Sequence, residues 1–476
     1  MNIGKLYLNG KWESGEGVMS VENPATGEIF ARVCIVSRRR LRVALEDAQK
    51  ALPGWRARTA ADRGSLLRRV ADALDTRAEA IARIITRENG KPLAESRGEV
   101  AVAADHFRWF AEEGRRAYGR IVPPQVAGKR HFIIKQPVGV VGAISPWNFP
   151  LVLAARKAAP ALPAGCPVLL KPASAAPLCA LELARAVETA GLPAGVFQVA
   201  AGKADELGAE MLENAICRKI TFTGSTEVGK KLIAGAATNV TKLSLELGGH
   251  APVLVFDDAA PALAVTGTLW SKFRNSGQSC IAANRVYVQR GIYGDFVRAL
   301  TGAVKKIRVG DGLAGAVDVG PLISEAGLNT ALAHIQDALN RGAKLAAGGR
   351  RWGKRGWFLE PTLLLDVPHD ALCMTQETFG PVMPVCRFAV ESEGIARANT
   401  SEYGLAAYVF TTSLNRAWRV AEALEAGTIG INDAVPSTSN CPFGGLKQSG
   451  WGRELGREGL DAFLETKHVS LGGVDG

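Results

Sequence analysis

No stretch of the 476-residue chain is long and apolar enough to read as a membrane span. The longest apolar segments, 138–144 and 158–170, are broken by Gly or Pro and fall short of the roughly 18 residues a spanning helix needs. The first ten residues, MNIGKLYLNG, lack the basic-then-apolar pattern of a secretory signal, so a cytoplasmic address is expected. Paired cysteines are missing too. Cys34, Cys166, Cys179, Cys217, Cys280, Cys373, Cys386 and Cys441 form no C-x-x-C pair, and six histidines are scattered singly. That pattern argues against a metal centre and a disulfide framework and fits a reducing compartment. No internal repeat or low-complexity segment occurs, which excludes a repeat architecture.

At this length one hydrophobic core does not suffice, and two or three domains are expected. An apolar fraction of 47% with 22% charged residues is that of an ordinary globular protein. The excess is in positive charge, formally +11. Its densest runs are Arg38, Arg39, Arg40 and Arg42, then Arg350, Arg351, Lys354 and Arg355. Neither interleaves with aromatics as a strand-binding platform does, so no nucleic-acid partner is expected. A solvated surface that draws anionic ligands fits better.

Residues 1–30 read as short strands and a turn at Asn23-Pro24-Ala25-Thr26-Gly27. From Leu41 the period is helical, with Leu41, Ala44, Leu45 and Ala48 on one face, until Leu52-Pro53-Gly54 is expected to stop it. A long helical region follows, ended by Asn89-Gly90-Lys91-Pro92, and another helix runs from Glu95 to about Arg116. These read as an all-helical preface. Residues 118–137, with Pro123-Pro124 and Gly128, read as an extended arm outside the core. Strands then alternate with helices: 138–144, 168–170, 196–199, 219–223 and 242–246, and in a second series 252–256, 285–289, 382–388, 406–411 and 428–431. The fold class is α/β, with two doubly wound parallel sheets joined by crossover helices and a boundary near Gly248-Gly249. The tail from Leu460 reads as a final strand reaching the arm.

Chemistry is expected in five places. Asn275-Ser276-Gly277-Gln278-Ser279-Cys280 puts a lone cysteine at the end of a Gly-containing turn, either as a nucleophile or as a small buried hydrophobe. Four other stretches end predicted strands, where open parallel sheets place ligands. In Ser145-Pro146-Trp147-Asn148-Phe149-Pro150, prolines bracket an amide donor; the alternative is a Pro-rich turn. Lys171-Pro172-Ala173-Ser174 suits a ribose or its phosphate, or is a surface lysine. Phe222-Thr223-Gly224-Ser225 opens a helix whose N-terminus favours anions, though it lacks the G-x-G-x-x-G fingerprint. Leu245-Glu246-Leu247-Gly248-Gly249 sets a carboxylate in an apolar strand end, as a base or as a paired hinge charge.

The ordered set SPWNFP, KPAS, FTGS, LELGG, GQSC, ETFGP and PFGG, spread over nearly the whole chain, resembles the aldehyde dehydrogenase superfamily. The resemblance implies a dinucleotide-binding domain (1–117 and 138–248), a catalytic domain (249–459) and an oligomerisation arm (118–137 and 460–476), in a homodimer or homotetramer. It implies that Cys280 attacks the carbonyl, that Asn148 and the Cys280 N–H hold the oxyanion, that Glu246 activates water, and that Lys157 lies near the centre. It assigns Lys171 and Glu377 to the riboses, Phe379 to the nicotinamide side, and Trp147, Gly224 and Ser225 to the pyrophosphate or adenosine side. Ser145, Gly229 and Leu247 complete the expected cofactor contacts. Relatives that prefer NAD often carry Glu where Ser174 stands, so NADP is favoured here, with NAD also open.

Within the superfamily the text looks like succinate-semialdehyde dehydrogenases, whose carboxylate-binding positions match Arg156, Arg274 and Ser437. An aldehyde with a remote carboxylate needs fixed cations, and Arg grips one bidentately. Two features stand apart. Ala282 occupies the place where some of that group carry a second cysteine as a redox switch. Residues 113–120 and 248–252 look equally like α-ketoglutarate-semialdehyde dehydrogenases, so α-ketoglutarate or glutarate semialdehyde stays open as the substrate, as does a broad range of aliphatic and aromatic aldehydes. A thiol esterase without cofactor, using Cys280 and Glu246, is the rival from another class.

Overall fold

The computed structural model describes residues 3–473. Residues 1, 2 and 474–476, which the sequence division gives to the first domain and the arm, lie outside the described residues. Among the described residues no helix is long and apolar enough to cross a membrane.

Two parallel sheets organise the chain. The first has the strand order Gly450–Trp451, Lys242–Glu246, Cys217–Thr223, Val140–Ile144, Val168–Lys171, Phe197–Val199, Leu6–Leu8, Lys11–Glu13. Its five central strands are parallel, and both edges are antiparallel. The second runs Lys344–Ala347, Thr362–Leu365, Val382–Phe388, Ala283–Gln289, Ala251–Val255, Ala406–Phe410, Thr428–Ile431, parallel except at its first edge. The central strands are buried along their length, as parallel strands covered on both faces must be. The pairs Thr223↔Glu246 and Ile144↔Lys171 put the expected site residues at the same strand ends.

Several expectations need correction. Pro53 does not stop the first helix, which runs Arg38–Ala57. Trp55 is buried in its last turn and donates from its indole nitrogen to the Leu162 carbonyl (3.0 Å), packing that offsets the cost of proline. The short strands expected in the first thirty residues are present, and two of them, Leu6–Leu8 and Lys11–Glu13, finish the first sheet. The tail is not a strand from Leu460: a helix spans Gly456–Asp461, and the strand is Leu464–Gly472. That strand pairs antiparallel with Lys129–Pro137, which also pairs with Arg120–Val122. The segment assigned to the second domain returns to the first before residue 459. Gly450–Trp451 pairs with Lys242–Glu246, and Phe443 and Leu455 join the first core. Among the described residues this late segment is the one that pairs with that edge of the first sheet.

Half of the residues in the two basic runs are paired with acidic side chains. Arg38 and Arg42 pair with Glu210 (2.8 and 2.9 Å), Arg40 with Glu13 (2.8 Å) and Arg355 with Glu28 (2.6 Å).

Candidate active site

The turn that carries Cys280 is built from left-handed backbone. Helix Pro261–Phe273 ends, and Asn275 (φ 50°), Ser276 (φ 57°) and Gly277 (φ 74°) swing the chain back. Two non-glycine residues in this region cost of order 1–3 kcal/mol each unless the surroundings fix them. Here they are fixed. The Asn275 N–H donates to the Glu95 carboxylate (2.8 Å), and its Nδ2 donates to the carbonyls of Asn148 (2.7 Å) and Gln278 (3.1 Å). Ser276 Oγ donates to the Gly320 carbonyl (2.9 Å). A Cβ on Gly277 would fall 2.2 Å from the Gly380 carbonyl oxygen, and one on Gly249 would fall 2.0 Å from that of Cys280. The cysteine turn is thus wedged against the junction between the two sheets.

Asn148 is held at both ends. Its carbonyl accepts from Lys91 Nζ (2.7 Å), Asn275 Nδ2 (2.7 Å) and Asn89 Nδ2 (3.3 Å). Its side-chain Nδ2 donates to the Gln278 carbonyl (3.2 Å), two residues before Cys280. That leaves the second N–H of the amide for a ligand.

Glu246 is buried at the end of its strand, and its Oε2 has no partner. Burial, reinforced by Glu454, lifts its carboxyl well above the usual range, with Lys157 and Arg156 pulling the other way. Lys157 Nζ donates to Glu454 Oε1 (2.8 Å), Thr223 Oγ1 (2.7 Å) and Thr221 Oγ1 (3.4 Å). Burial also pushes the Cys280 thiol up to about 12, and Glu377 and Glu246 add to the shift.

A cavity of about 640 Å³ opens on Cys280. Arg156, Arg274 and Ser437 line it together, although they come from three distant segments. Both guanidinium groups are seated on aromatic rings, Arg156 over Phe443 (4.9 Å) and Arg274 over Phe149 (4.7 Å). Arg156 Nη2 also donates to Ser437 Oγ (3.5 Å). Asn148, Glu246, Lys157 and the expected cofactor residues do not line this cavity.

The expected cofactor residues sit at the neighbouring strand ends. Trp147 and Phe379 meet edge to face (5.4 Å), Phe379 with φ 50°. Glu377 accepts from the Gly249 N–H (3.1 Å), and burial raises its carboxyl to about 8. Lys171 is buried, its Nζ donates to the Pro172 carbonyl (3.2 Å) and to no other group among the described residues, and burial lowers its ammonium. Ser174 is exposed in the turn just beyond. Ser145 Oγ is buried without a partner. Ser225 caps helix Thr226–Ala236, accepting from the Val228 N–H (3.4 Å). Gly224 donates its N–H to the Glu246 carbonyl (3.0 Å), Gly229 packs on the Leu247 side chain, and the Leu247 N–H bonds the Ser449 carbonyl (2.9 Å).

Sequence reasoning passed over the helix Leu93–Glu113 as scaffold, yet it sends Glu95 and Glu99 into the cavity wall. It also passed over Glu454, whose partner Lys157 lies 297 residues away. Neither had a local signal, because each is an ordinary acidic residue until the fold buries it. Phe149 and Phe443 did stand in recognised motifs, but nothing in those motifs marks them as seats for arginine.

Two parallel α/β sheets meeting at a half-buried thiol, with dinucleotide-type strand ends on one side and a substrate-sized cavity on the other, define an oxidoreductase. The aldehyde dehydrogenase family model matches residues 12–469, and the chain belongs to that family. It is 49% identical to the glutarate-semialdehyde dehydrogenase of Pseudomonas aeruginosa, over 99% of this chain and 98% of the relative. It is 47% identical to an NADP(+) succinate-semialdehyde dehydrogenase of Escherichia coli, over 98% of each. The crystal structure of succinate-semialdehyde dehydrogenase from Burkholderia pseudomallei superposes with a TM-score of 0.97 at 45% identity, covering 98% of each chain.

Proposed function

We propose that the protein oxidises a semialdehyde bearing a remote carboxylate to the dicarboxylic acid, succinate semialdehyde to succinate first of all, with NADP favoured over NAD. The observation that carries this reading is the placement of Arg156, Arg274 and Ser437 in the cavity that opens on Cys280. Seated on rings, the two guanidinium groups need little reordering to grip a carboxylate, which keeps the entropic cost of binding low. The aldehyde end then lies toward the sulfur.

Each group has a task. Cys280 loses its thiol proton to solvent, its Sγ bonds to the carbonyl carbon as the C=O π pair moves to the oxygen, which becomes an oxyanion, and loss of hydride from that carbon leaves a thioester. The spare N–H of Asn148 and the backbone N–H of Cys280 hold that oxyanion; losing one such donor costs about 100- to 1,000-fold in rate. Glu246, once ionised, takes a proton from the water that cleaves the thioester and frees the acid. In the chain alone Cys280 keeps its proton. The strand ends fit a dinucleotide: Ser145 Oγ lacks a partner, Lys171 has donors to spare, and Ser225 opens a helix N-terminus. Lys171 and Glu377 would hold its riboses, Phe379 would lie on the nicotinamide side and Trp147 on the pyrophosphate or adenosine side, and Ser174 would leave room for a 2′-phosphate. Bound there, the oxidised nicotinamide supplies positive charge near the thiol and accepts the hydride.

Glutarate semialdehyde is the second reading, favoured by the Pseudomonas aeruginosa relative and by the generous cavity. One added methylene changes binding by only about 0.8 kcal/mol. The three-stranded arm exposes Ile121, Ile134, Val469 and Leu471, apolar surface that suits a homodimer or homotetramer. Eight free cysteines suit a reducing cytoplasm. The test is a panel of succinate semialdehyde, glutarate semialdehyde and uncharged aldehydes of matched length, run with NADP and NAD and followed by nucleotide reduction. The semialdehydes should show the higher kcat/KM, and NADP the lower KM. Turnover of esters with no nucleotide reduction by any aldehyde would leave only the esterase.

A further inference from the structure

Outside the groups used above, a polar cluster of Asp105, His106 and Ser439 has no assigned task. His106 and Asp105 lie on helix Leu93–Glu113, and both bond Ser439, which belongs to the loop between Thr428–Ile431 and Leu446–Lys447. His106 Nδ1 is 2.8 Å from Ser439 Oγ, and Ser439 Oγ donates to Asp105 Oδ2. Ser439 is tied down a third time, as its carbonyl accepts from the Gly456 N–H (2.9 Å). Two residues earlier in the same loop stands Ser437, the partner of Arg156 Nη2.

The proton order in this cluster follows from valence. A serine hydroxyl has one proton, and a carboxylate only accepts, so that proton goes to Asp105. Ser439 Oγ must then accept from His106 Nδ1–H, which leaves Nε2 as a bare lone pair. Nε2 is buried with no partner, and so is Arg156 Nε. Burial, and second to it the Arg156 charge, holds the imidazole well below its usual range, so it stays neutral. The hydrogen-bonded link from the cluster to Arg156 runs through the loop, from Ser439 to Ser437 two residues earlier.

We propose that Asp105, Ser439 and His106 form a positioning relay that anchors the Ser437 loop and the Arg156 guanidinium, and so sets the preference for carboxylated over uncharged aldehydes. None of the three is a catalytic residue. The inference rests on the carboxylate grip proposed above and adds the residues that aim it.

The test compares KM for succinate semialdehyde and for an uncharged aldehyde of matched length, with saturating NADP. Ser439→Ala should raise KM for the semialdehyde about three- to ten-fold, the range expected from losing one or two hydrogen bonds, with kcat and the uncharged aldehyde's KM within about two-fold of wild type. Ser439→Thr keeps the hydroxyl and should restore most of the difference. Asp105 is on the exposed side of its helix, so Asp105→Ala is a variant that folds even if Ser439→Ala does not. It should move the same KM ratio in the same direction. Equal effects on both aldehydes, or an unchanged ratio in Asp105→Ala and in whichever Ser439 variants fold, overturn the relay. A wild-type enzyme with no preference for the carboxylated aldehyde overturns instead the function on which it rests.

Discussion

Removing one arginine should separate the two kinds of aldehyde. Arg274 sits 4.7 Å above the Phe149 ring and faces the cavity, while the next residue's N–H bonds Glu95 (2.8 Å). A charge-assisted hydrogen bond contributes about 1.5–3 kcal/mol, so Arg274→Ala should lower kcat/KM for succinate semialdehyde by about 10- to 150-fold. Burial raises the Glu95 carboxyl in the same wall and Arg274 pulls it the other way, so removing Arg274 favours the neutral acid there and adds no repulsion of the substrate's carboxylate. An uncharged aldehyde of matched length gains nothing from the guanidinium and should stay within about two-fold. Arg274→Lys should fall between, because an ammonium keeps the charge but not the planar fork. Steady-state rates with both aldehydes, read as nucleotide reduction, give all of these values. Raising the salt concentration should also raise the wild-type KM for the semialdehyde alone. Equal losses for both aldehydes in Arg274→Ala would refute the grip and assign Arg274 to holding the cysteine turn.

Cys280→Ala should abolish both dehydrogenase and esterase activity, and residual aldehyde turnover would reassign the nucleophile. With the thiol raised to about 12, alkylation of Cys280 in ligand-free protein should keep rising past pH 9 without a plateau, as mass spectrometry of the modified peptide would follow. Glu246 must ionise to act as a base and its carboxyl is raised, so thioester hydrolysis should climb with pH over a range above that of ordinary carboxylates. In Glu246→Gln that limb should vanish while a first-turnover burst of reduced nucleotide remains. Ser174→Glu should raise KM for NADP relative to NAD, since a carboxylate repels a 2′-phosphate; an unchanged ratio would mean that Ser174 does not face that position.

The elements readable from the sequence were those set by local pattern. Apolar strands bounded by Gly and Pro appear where the alternation puts them, and Gly90 (φ 96°) ends its helix as the Asn-Gly-Lys-Pro run requires. What was not readable depends on contacts between distant residues. Pro53 is tolerated because Trp55 reaches Leu162, and Gly450–Trp451 is a strand only because Lys242–Glu246 offers an open edge. In the site, the single residues stood out through motif chemistry, but their electrostatics did not. Lys157 bonds Glu454 from 297 positions away, and the fold alone decides that Glu246 has an oxygen with no partner.

That electrostatic arrangement bears on how an enzyme keeps a reactive thiol safe. A cysteine is oxidised or alkylated as the thiolate, so exposure to a cavity matters less than charge. Around Cys280 the carboxyls of Glu377 and Glu246 add to burial in opposing ionisation, and Arg156 pulls the other way with a smaller effect. The same carboxyls are themselves raised by burial, which leaves the centre close to neutral when nothing is bound. A second cysteine two residues on could cap the nucleophile as a disulfide, but Ala282 stands there. Protection by suppressed ionisation needs no such partner and reverses as soon as a positive charge enters the cleft. Reactivity is thereby tied to the arrival of an oxidised nucleotide, the one ligand in the proposed reaction that brings positive charge to the sulfur.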